Sequence, residues 1–191
     1  MNSKRKMIVA ISAFAMLLLA TVVAVVAVLA AQQVSVTSKI NISYTADANV
    51  IGSISGTCKQ NGVDTTAVSM GSTTFDGGTT ATGTLTEMNR TLTSTNKEVE
   101  FVFSFTNTST VANYTATLSF VGTVTNVTMQ SKTTGSYSTV TNTTNLASIT
   151  VNKHNGTSAG TGTISFKVTL TDSLKDAAFN GTFTLTLASA R

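Results

Sequence analysis

A strict two-residue alternation of apolar and polar side chains recurs along this chain of 191 residues, and it limits the possible folds more than any other feature. Two segments show it most clearly. Their apolar members are Val34, Val36, Ile40, Ile42 and Tyr44 in the first segment, and Val99, Phe101, Phe103 and Phe105 in the second. Successive side chains of a β-strand point to opposite faces, so each segment predicts a strand with one buried face.

The same alternation over residues 116–120, 164–170 and 183–187, and weaker signals elsewhere, predict further strands between these two and after them. The additional segments are 51–57, 63–70, 82–88, 116–120, 121–129, 146–151, 164–170 and 183–187. Asn-Gly and Asp-Gly turn signals, at residues 61–62, 76–78, 155–156 and 180–181, are expected to separate strands. Only residues 172–179 read as a short helical turn. About ten strands, each with a single apolar face, predict an all-β fold: an antiparallel β-sandwich of immunoglobulin-like or jelly-roll-like type.

The chain starts with a segment of a different kind. Lys4, Arg5 and Lys6 precede an uncharged apolar run over residues 7–31. About 20 apolar residues in a helix span a bilayer, and flanking Lys and Arg stay cytoplasmic, so we expect one N-terminal hydrophobic helix and an exported remainder. Residues 1–31 are either a retained membrane anchor or a signal peptide cleaved after Val28-Leu29-Ala30. Residues 32–191 are then one extracellular domain, and the membrane is a partner through residues 7–31 if the segment is uncleaved.

The charge of the exported part is close to neutral. The whole chain has 12 Lys and Arg against 8 Asp and Glu. Removing Lys4, Arg5 and Lys6 leaves 9 basic residues (12 less 3) against 8 acidic ones, a net charge of +1. A nucleic-acid partner requires a basic patch on the folded domain. We therefore expect no nucleic-acid partner.

The residues that usually carry catalysis are few and scattered. Cys58 is the single cysteine, and we expect it to be a buried apolar residue. His154 is the single histidine, and its neighbours predict a hairpin tip. Glu98 and Glu100 share the outer face of a predicted strand, where they keep the surface soluble. No spacing of His, Cys or carboxylates matches a metal site or a hydrolase triad. The expectation is therefore no catalytic residue, no cofactor, no metal and no enzymatic activity.

The order of these parts resembles one group of proteins. The basic start and apolar export segment, the strand over residues 34–44, the run Val99-Glu100-Phe101-Val102-Phe103-Ser104-Phe105-Thr106-Asn107-Thr108-Ser109 and a closing strand over 182–188 are similar to the camelysin and TasA-type bacterial surface and biofilm-matrix proteins. The resemblance implies assembly into fibres, in which the N-terminal strand of one subunit completes the sandwich of the next. Residues 34–44 are then the candidate donor strand. The alternative is an ordinary edge strand of its own domain.

These features together predict a noncatalytic structural protein. We expect it to be exported to the cell surface or extracellular matrix, either secreted or anchored, with self-assembly by N-terminal strand donation. The alternative function is a cell-surface adhesin that binds glycans or another surface protein. Its ligand would then contact the loops 76–80 and 153–162, because a sandwich presents its loops at its two ends.

Overall fold

The structure, a computed structural model, describes residues 34–44, 49–60, 67–77, 81–93, 96–171 and 178–190. These residues form eleven β-strands and no helix, so the chain is all-β in the part that the structure describes. In chain order the strands are β1 Val34–Tyr44, β2 Ile51–Gln60, β3 Val68–Asp76, β4 Ala81–Leu92, β5 Glu98–Asn107, β6 Asn113–Thr125, β7 Val127–Lys132, β8 Ser138–Thr139, β9 Ala147–Val151, β10 Gly160–Leu170 and β11 Ala178–Ala190.

The strands form two sheets. One is five-stranded in the order β4-β1-β11-β6-β9, and the other is six-stranded in the order β3-β2-β5-β10-β7-β8. Here they are called sheet A and sheet B. Every strand pair is antiparallel except β1 with β11, which run parallel. The prediction of a purely antiparallel fold is wrong at this pair. Parallel neighbours need a long crossover, and here almost the whole domain separates the two strands in sequence.

The apolar faces of both sheets form one core. Phe183 of β11 lies at its centre, with ring centroids 5.5 Å from Phe101 and 5.1 Å from both Phe120 and Phe166. Phe101 and Phe166 belong to sheet B, whereas Phe120 and Phe183 belong to sheet A. The rings therefore join the two sheets, and each aromatic pair contributes about 0.5–1.5 kcal/mol beyond its buried area.

The burial predicted for the clearest strands is confirmed. Val99, Phe101, Phe103 and Phe105 are all buried, with at most 1% of their surface exposed. Val36, Ile40 and Ile42 are buried to the same degree, whereas the side chains of Val34 and Tyr44 lie outside the described part. Cys58 is fully buried, as expected.

Several predicted boundaries are wrong. The strand predicted over 63–70 begins at Val68, and residues 61–66 lie outside the described part. The predicted break after Phe120 is absent, because β6 continues to Thr125. The two-residue strand β8 has no alternation from which it could be predicted.

The turn predicted at Asn180-Gly181 is also wrong. Both residues lie inside β11, where Gly181 pairs with Gly122 of β6. A Cβ atom on Gly181 would lie only 2.3 Å from the carbonyl oxygen of Val121, so the glycine permits a close approach of two strands. At Asn155-Gly156, by contrast, the prediction is confirmed, since Gly156 has a φ of 91° in the loop between β9 and β10.

Some predictions fall on residues outside the described part. These include the hydrophobic helix over 7–31 and most of the helical turn over 172–179, of which Ala178 and Phe179 lie in β11. Among the described residues, no helix has the length and apolar character needed to cross a membrane.

Candidate functional site

Strand β1, the candidate donor, lies inside sheet A. It pairs in parallel with β11 from Val36–Phe179 to Tyr44–Leu187, and antiparallel with β4 on its other side. The expectation of an edge strand is therefore wrong, because both edges of β1 are occupied. Without β1, strands β4 and β11 would be separated by an empty strand position.

The buried face of β1 contributes to the shared core. Val36 and Ile40 are fully buried and Ile42 is 1% exposed. Burying an aliphatic side chain of this size is worth about 1.5–3 kcal/mol. The register with β4 shifts between Ser38 and Ile40, which marks a β-bulge. β1 is thus held by two ladders of backbone hydrogen bonds and by its side chains.

A second feature is the corner between β5 and β6, which is organised by the buried side chain of Asn107. Its amide nitrogen donates to the carbonyl oxygens of Ala112 and Val151, at 3.1 and 3.0 Å. Its amide oxygen accepts from the backbone N–H of Ser109 at 2.9 Å. The carbonyl oxygen of Ser109 in turn accepts from the N–H of His154 at 2.8 Å. One side chain therefore fixes its own corner and the start of the β9–β10 loop.

The two loops predicted for ligand binding in the adhesin alternative belong to the same end of the molecule. The pairs that connect them are Asp76–Ile51, Gly52–Asn107 and Asn107–Gly160. Residues 78–80 of the first loop lie outside the described part. In the second loop the side-chain oxygen of Asn155 accepts from the N–H groups of Thr157 and Ser158, which fixes a tight turn. Ligand binding by these loops stays a prediction.

A third feature is a cluster of charged side chains around Tyr137 on the outer face of sheet B. The phenol of Tyr137 donates a hydrogen bond to Glu100, and the ammonium groups of Lys132 and Lys167 each lie 4.5 Å from its ring centroid. Lys167 also pairs with Glu98 at 3.1 Å. Burial raises the pKa of Tyr137 above its usual value, and the hydrogen bond to Glu100 raises that pKa further.

The remaining residues of types that can take part in catalysis or metal binding do not lie close together. Glu98 pairs with Lys167 and Glu100 accepts from Tyr137, so both belong to the Tyr137 cluster. Nδ1 of His154 accepts a hydrogen bond from the backbone N–H of Gly156 at 2.9 Å. Cys58 lies in the core. Among the residues that the structure describes, no three His, Cys, Asp or Glu side chains lie close enough together to hold a metal ion.

Sequence reasoning missed two of these features for different reasons. Asn107 lies in the run that carries the family resemblance, but nothing local distinguishes a buried Asn from an exposed one in an Asn-Thr-Ser turn. Tyr137 stands between Ser136 and Ser138 in a loop. Its partners Glu100 and Lys167 come from distant strands, so only the strand register brings them together.

Comparisons with known proteins add no assignment: no protein-family model matches the chain, and no curated protein matches it significantly. The resemblance to the camelysin and TasA-type group therefore stays a prediction, carried by the residues quoted for it.

Proposed function

We propose that this chain is a noncatalytic structural protein, exported to the cell surface or extracellular matrix, whose subunits assemble into fibres by exchanging β1. In this proposal residues 7–31 form a hydrophobic helix that directs export, as an anchor or as a cleaved signal. The domain over residues 32–191 is the fibre subunit, and its two sheets form a sandwich of immunoglobulin-like or jelly-roll-like type.

The position of β1 is the observation that carries the proposal. It is the first described strand and follows the apolar segment in sequence, yet it occupies an interior position between β4 and β11. A strand at such a position can be replaced by the same strand from a second copy with no change in register or in buried side chains. Exchange of identical elements is a low-cost route to assembly.

Exchange leads to a chain of subunits under one condition. If β1 of each copy enters the sheet of the next copy, rather than two copies exchanging reciprocally, the contact is head-to-tail and the assembly does not close. The backbone then supplies affinity through both ladders, and Val36, Ile40 and Ile42 fill the core positions that they fill in the monomer.

A reversible covalent lock on β1 tests this proposal. Asn41 of β1 and Thr184 of β11 are direct partners in the parallel register, and each lies next to buried residues, so both side chains point to the outer face of sheet A. In the double variant Asn41→Cys/Thr184→Cys, a disulfide would hold β1 in its own subunit. Filaments seen by electron microscopy after release of the chain at Ala31 should disappear on oxidation and return on reduction.

A second disulfide serves as the matched control. The hydroxyl oxygens of Thr117 and Ser148 are 3.2 Å apart on β6 and β9, so Thr117→Cys/Ser148→Cys links two strands without touching β1. Oxidation of this variant should leave filaments unchanged. Deleting residues 32–45 should also prevent them. Filaments that persist with the oxidised β1–β11 lock would contradict strand exchange, and a released wild-type chain that stays monomeric would contradict fibre assembly.

A further inference from the structure

The loop between β9 and β10 places a basic nitrogen next to an Asn-Gly peptide bond. Residues 155–158 are exposed, so water reaches the whole turn. The N–H of His154 donates to the carbonyl oxygen of Ser109 at 2.8 Å. The N–H of Asn155 donates to the carbonyl oxygen of Ser158 at 3.2 Å. The backbone around this peptide bond is therefore held in a defined turn.

The backbone nitrogen of Gly156 is hydrogen-bonded to a base. Its N–H donates to Nδ1 of His154 at 2.9 Å. A backbone N–H can only donate, so Nδ1 carries no proton in this contact and its lone pair faces the N–H. A general base has to lie at such a distance from the proton that it removes, and imidazole is the side chain used most often for that transfer.

The side-chain amide of Asn155 is polarised through its oxygen. Its Oδ1 accepts from the N–H of Thr157 at 3.0 Å and from the N–H of Ser158 at 2.9 Å. Donors aimed at an oxygen stabilise the negative charge that develops there when a nucleophile adds to the carbonyl carbon. Gly156 has no side chain to shield its nitrogen. Base, polarised amide and nucleophile are thus supplied by three consecutive residues.

We infer that Asn155 is a site of self-modification, at which the folded turn converts the side-chain amide to a carboxylate. The nitrogen of Gly156 forms a bond to Cγ of Asn155 while its proton passes to Nδ1 of His154. The bond from Cγ to the amide nitrogen then breaks, and ammonia leaves with the proton that the imidazolium returns. Water opens the resulting cyclic imide and gives aspartate or, with one more methylene in the backbone, isoaspartate.

A second Asn-Gly pair provides an internal comparison. Asn180 and Gly181 lie inside β11, between β1 and β6. Ladders on both sides hold this backbone extended, so the nitrogen of Gly181 cannot turn onto the side chain before it. The same dipeptide should therefore react at Asn155 and stay intact at Asn180. The reaction uses neither β1 nor a contact between subunits, so it does not depend on the proposed assembly.

Peptide mapping of the full chain in detergent micelles tests the inference after incubation near neutral pH. Tryptic cleavage after Lys153 and Lys167 gives a peptide in which Asn155 is the only asparagine. Cleavage after Lys175 gives a peptide in which Asn180 is the only asparagine. Mass spectrometry should detect exchange of the amide for a carboxylate in the first peptide and not in the second. In the chain unfolded by guanidinium chloride, the two peptides should react at similar rates, and Asn155 more slowly than in the folded chain.

His154→Ala removes the base and keeps the Asn-Gly pair. It should slow the reaction at Asn155 about tenfold, less than the roughly 10²–10⁴-fold contributed by a general base in an enzyme, because this turn is open to solvent. Imidazole added to the buffer should restore part of the rate in this variant, since it supplies the missing base.

Thr157→Ala is the matched control, because its backbone N–H still donates to Asn155 and only an exposed hydroxyl is lost. Its rate should stay within about twofold of wild type, as expected for a surface substitution that touches no reacting atom. Circular dichroism confirms that each variant is folded. Equal rates in His154→Ala and wild type, a slower variant that imidazole does not rescue, or a faster reaction of Asn155 in the unfolded chain would overturn the inference.

Discussion

Asn107 shows how much structure one buried amide holds together. Its side chain donates two hydrogen bonds and accepts one, and these bonds join the end of β5, the β5–β6 corner and the end of β9. Replacing it with alanine removes the donor of two carbonyl oxygens and the acceptor of one N–H group. A buried polar group without a partner costs about 1–3 kcal/mol.

We therefore predict that Asn107→Ala lowers the free energy of unfolding by about 2–4 kcal/mol. Urea denaturation followed by circular dichroism measures the change. Asn142→Ala is the control: Asn142 also accepts from a backbone N–H two residues ahead, that of Thr144, but it is exposed. Its effect should stay within about 0.5 kcal/mol. Equal losses in the two variants would show that burial of Asn107 is not the cause.

At the scale of single strands, the pair Gly122–Gly181 sets the distance between β6 and β11. A Cβ atom at position 181 would lie 2.3 Å from the carbonyl oxygen of Val121 and 2.6 Å from Cζ of Phe120. Phe120 stacks on Phe179 at 4.5 Å. A side chain at 181 therefore forces both the backbone and this aromatic pair to move.

Gly181→Ala should consequently destabilise the domain, even though alanine costs less backbone entropy than glycine in a strand. The expected loss is about 1–3 kcal/mol, the usual range for overpacking. Thermal unfolding monitored in the near-ultraviolet reports both stability and the aromatic packing. Ser104→Ala, at an exposed position of β5, should change little. A stabilised Gly181→Ala would mean that the two strands can separate without cost.

The same strands show what sequence predicts and what it does not. Alternation gave the bounds of β1 and the buried members of β5 correctly, because the two-residue period decides which face of a strand is apolar. It carries no information about neighbours, so the parallel pairing of β1 with β11 could not be read from it. The Asn180-Gly181 dipeptide failed for a related reason: glycine serves both tight turns and close strand contacts, and only the partner strand distinguishes them.

For the molecule as a whole, the buried Tyr114 and the half-buried Tyr137 predict how stability depends on pH. Burial raises the pKa of Tyr114 and of Tyr137 above the ordinary value of 10.0. The folded state thus favours the protonated phenols. Their contribution to stability is fully present below pH 10 and is lost as the pH rises above that value, because the unfolded chain releases these protons first.

The free energy of unfolding should therefore fall as the pH is raised from about 10 to about 12, above the ordinary tyrosine pKa. Urea denaturation at a series of pH values measures this slope. The double variant Tyr114→Phe/Tyr137→Phe should be less sensitive to pH over the same interval. A double variant with the wild-type slope would assign the loss to lysine titration instead.

The part of the structure that can be predicted from the sequence also differs between the core and the surface. The composition of the core follows from alternation, since nearly every apolar residue of the stronger strands is buried. The Asn107 corner and the Tyr137 cluster depend on loops and on contacts between strands far apart in sequence. Such sites have no local pattern, and they become visible only when the register is known.

The parallel course of β1 and β11 gives the molecule a polarity. Both strands run from the end that holds Val36 and Phe179 toward the end that holds Tyr44 and Leu187, where the 108–112 and 152–159 connections also lie. If residues 7–31 stay in the bilayer, the end of β1 that holds Val36 faces the lipid, and these connections point away from it. An epitope tag grafted into the 152–159 connection would then be the most accessible to antibodies on intact cells.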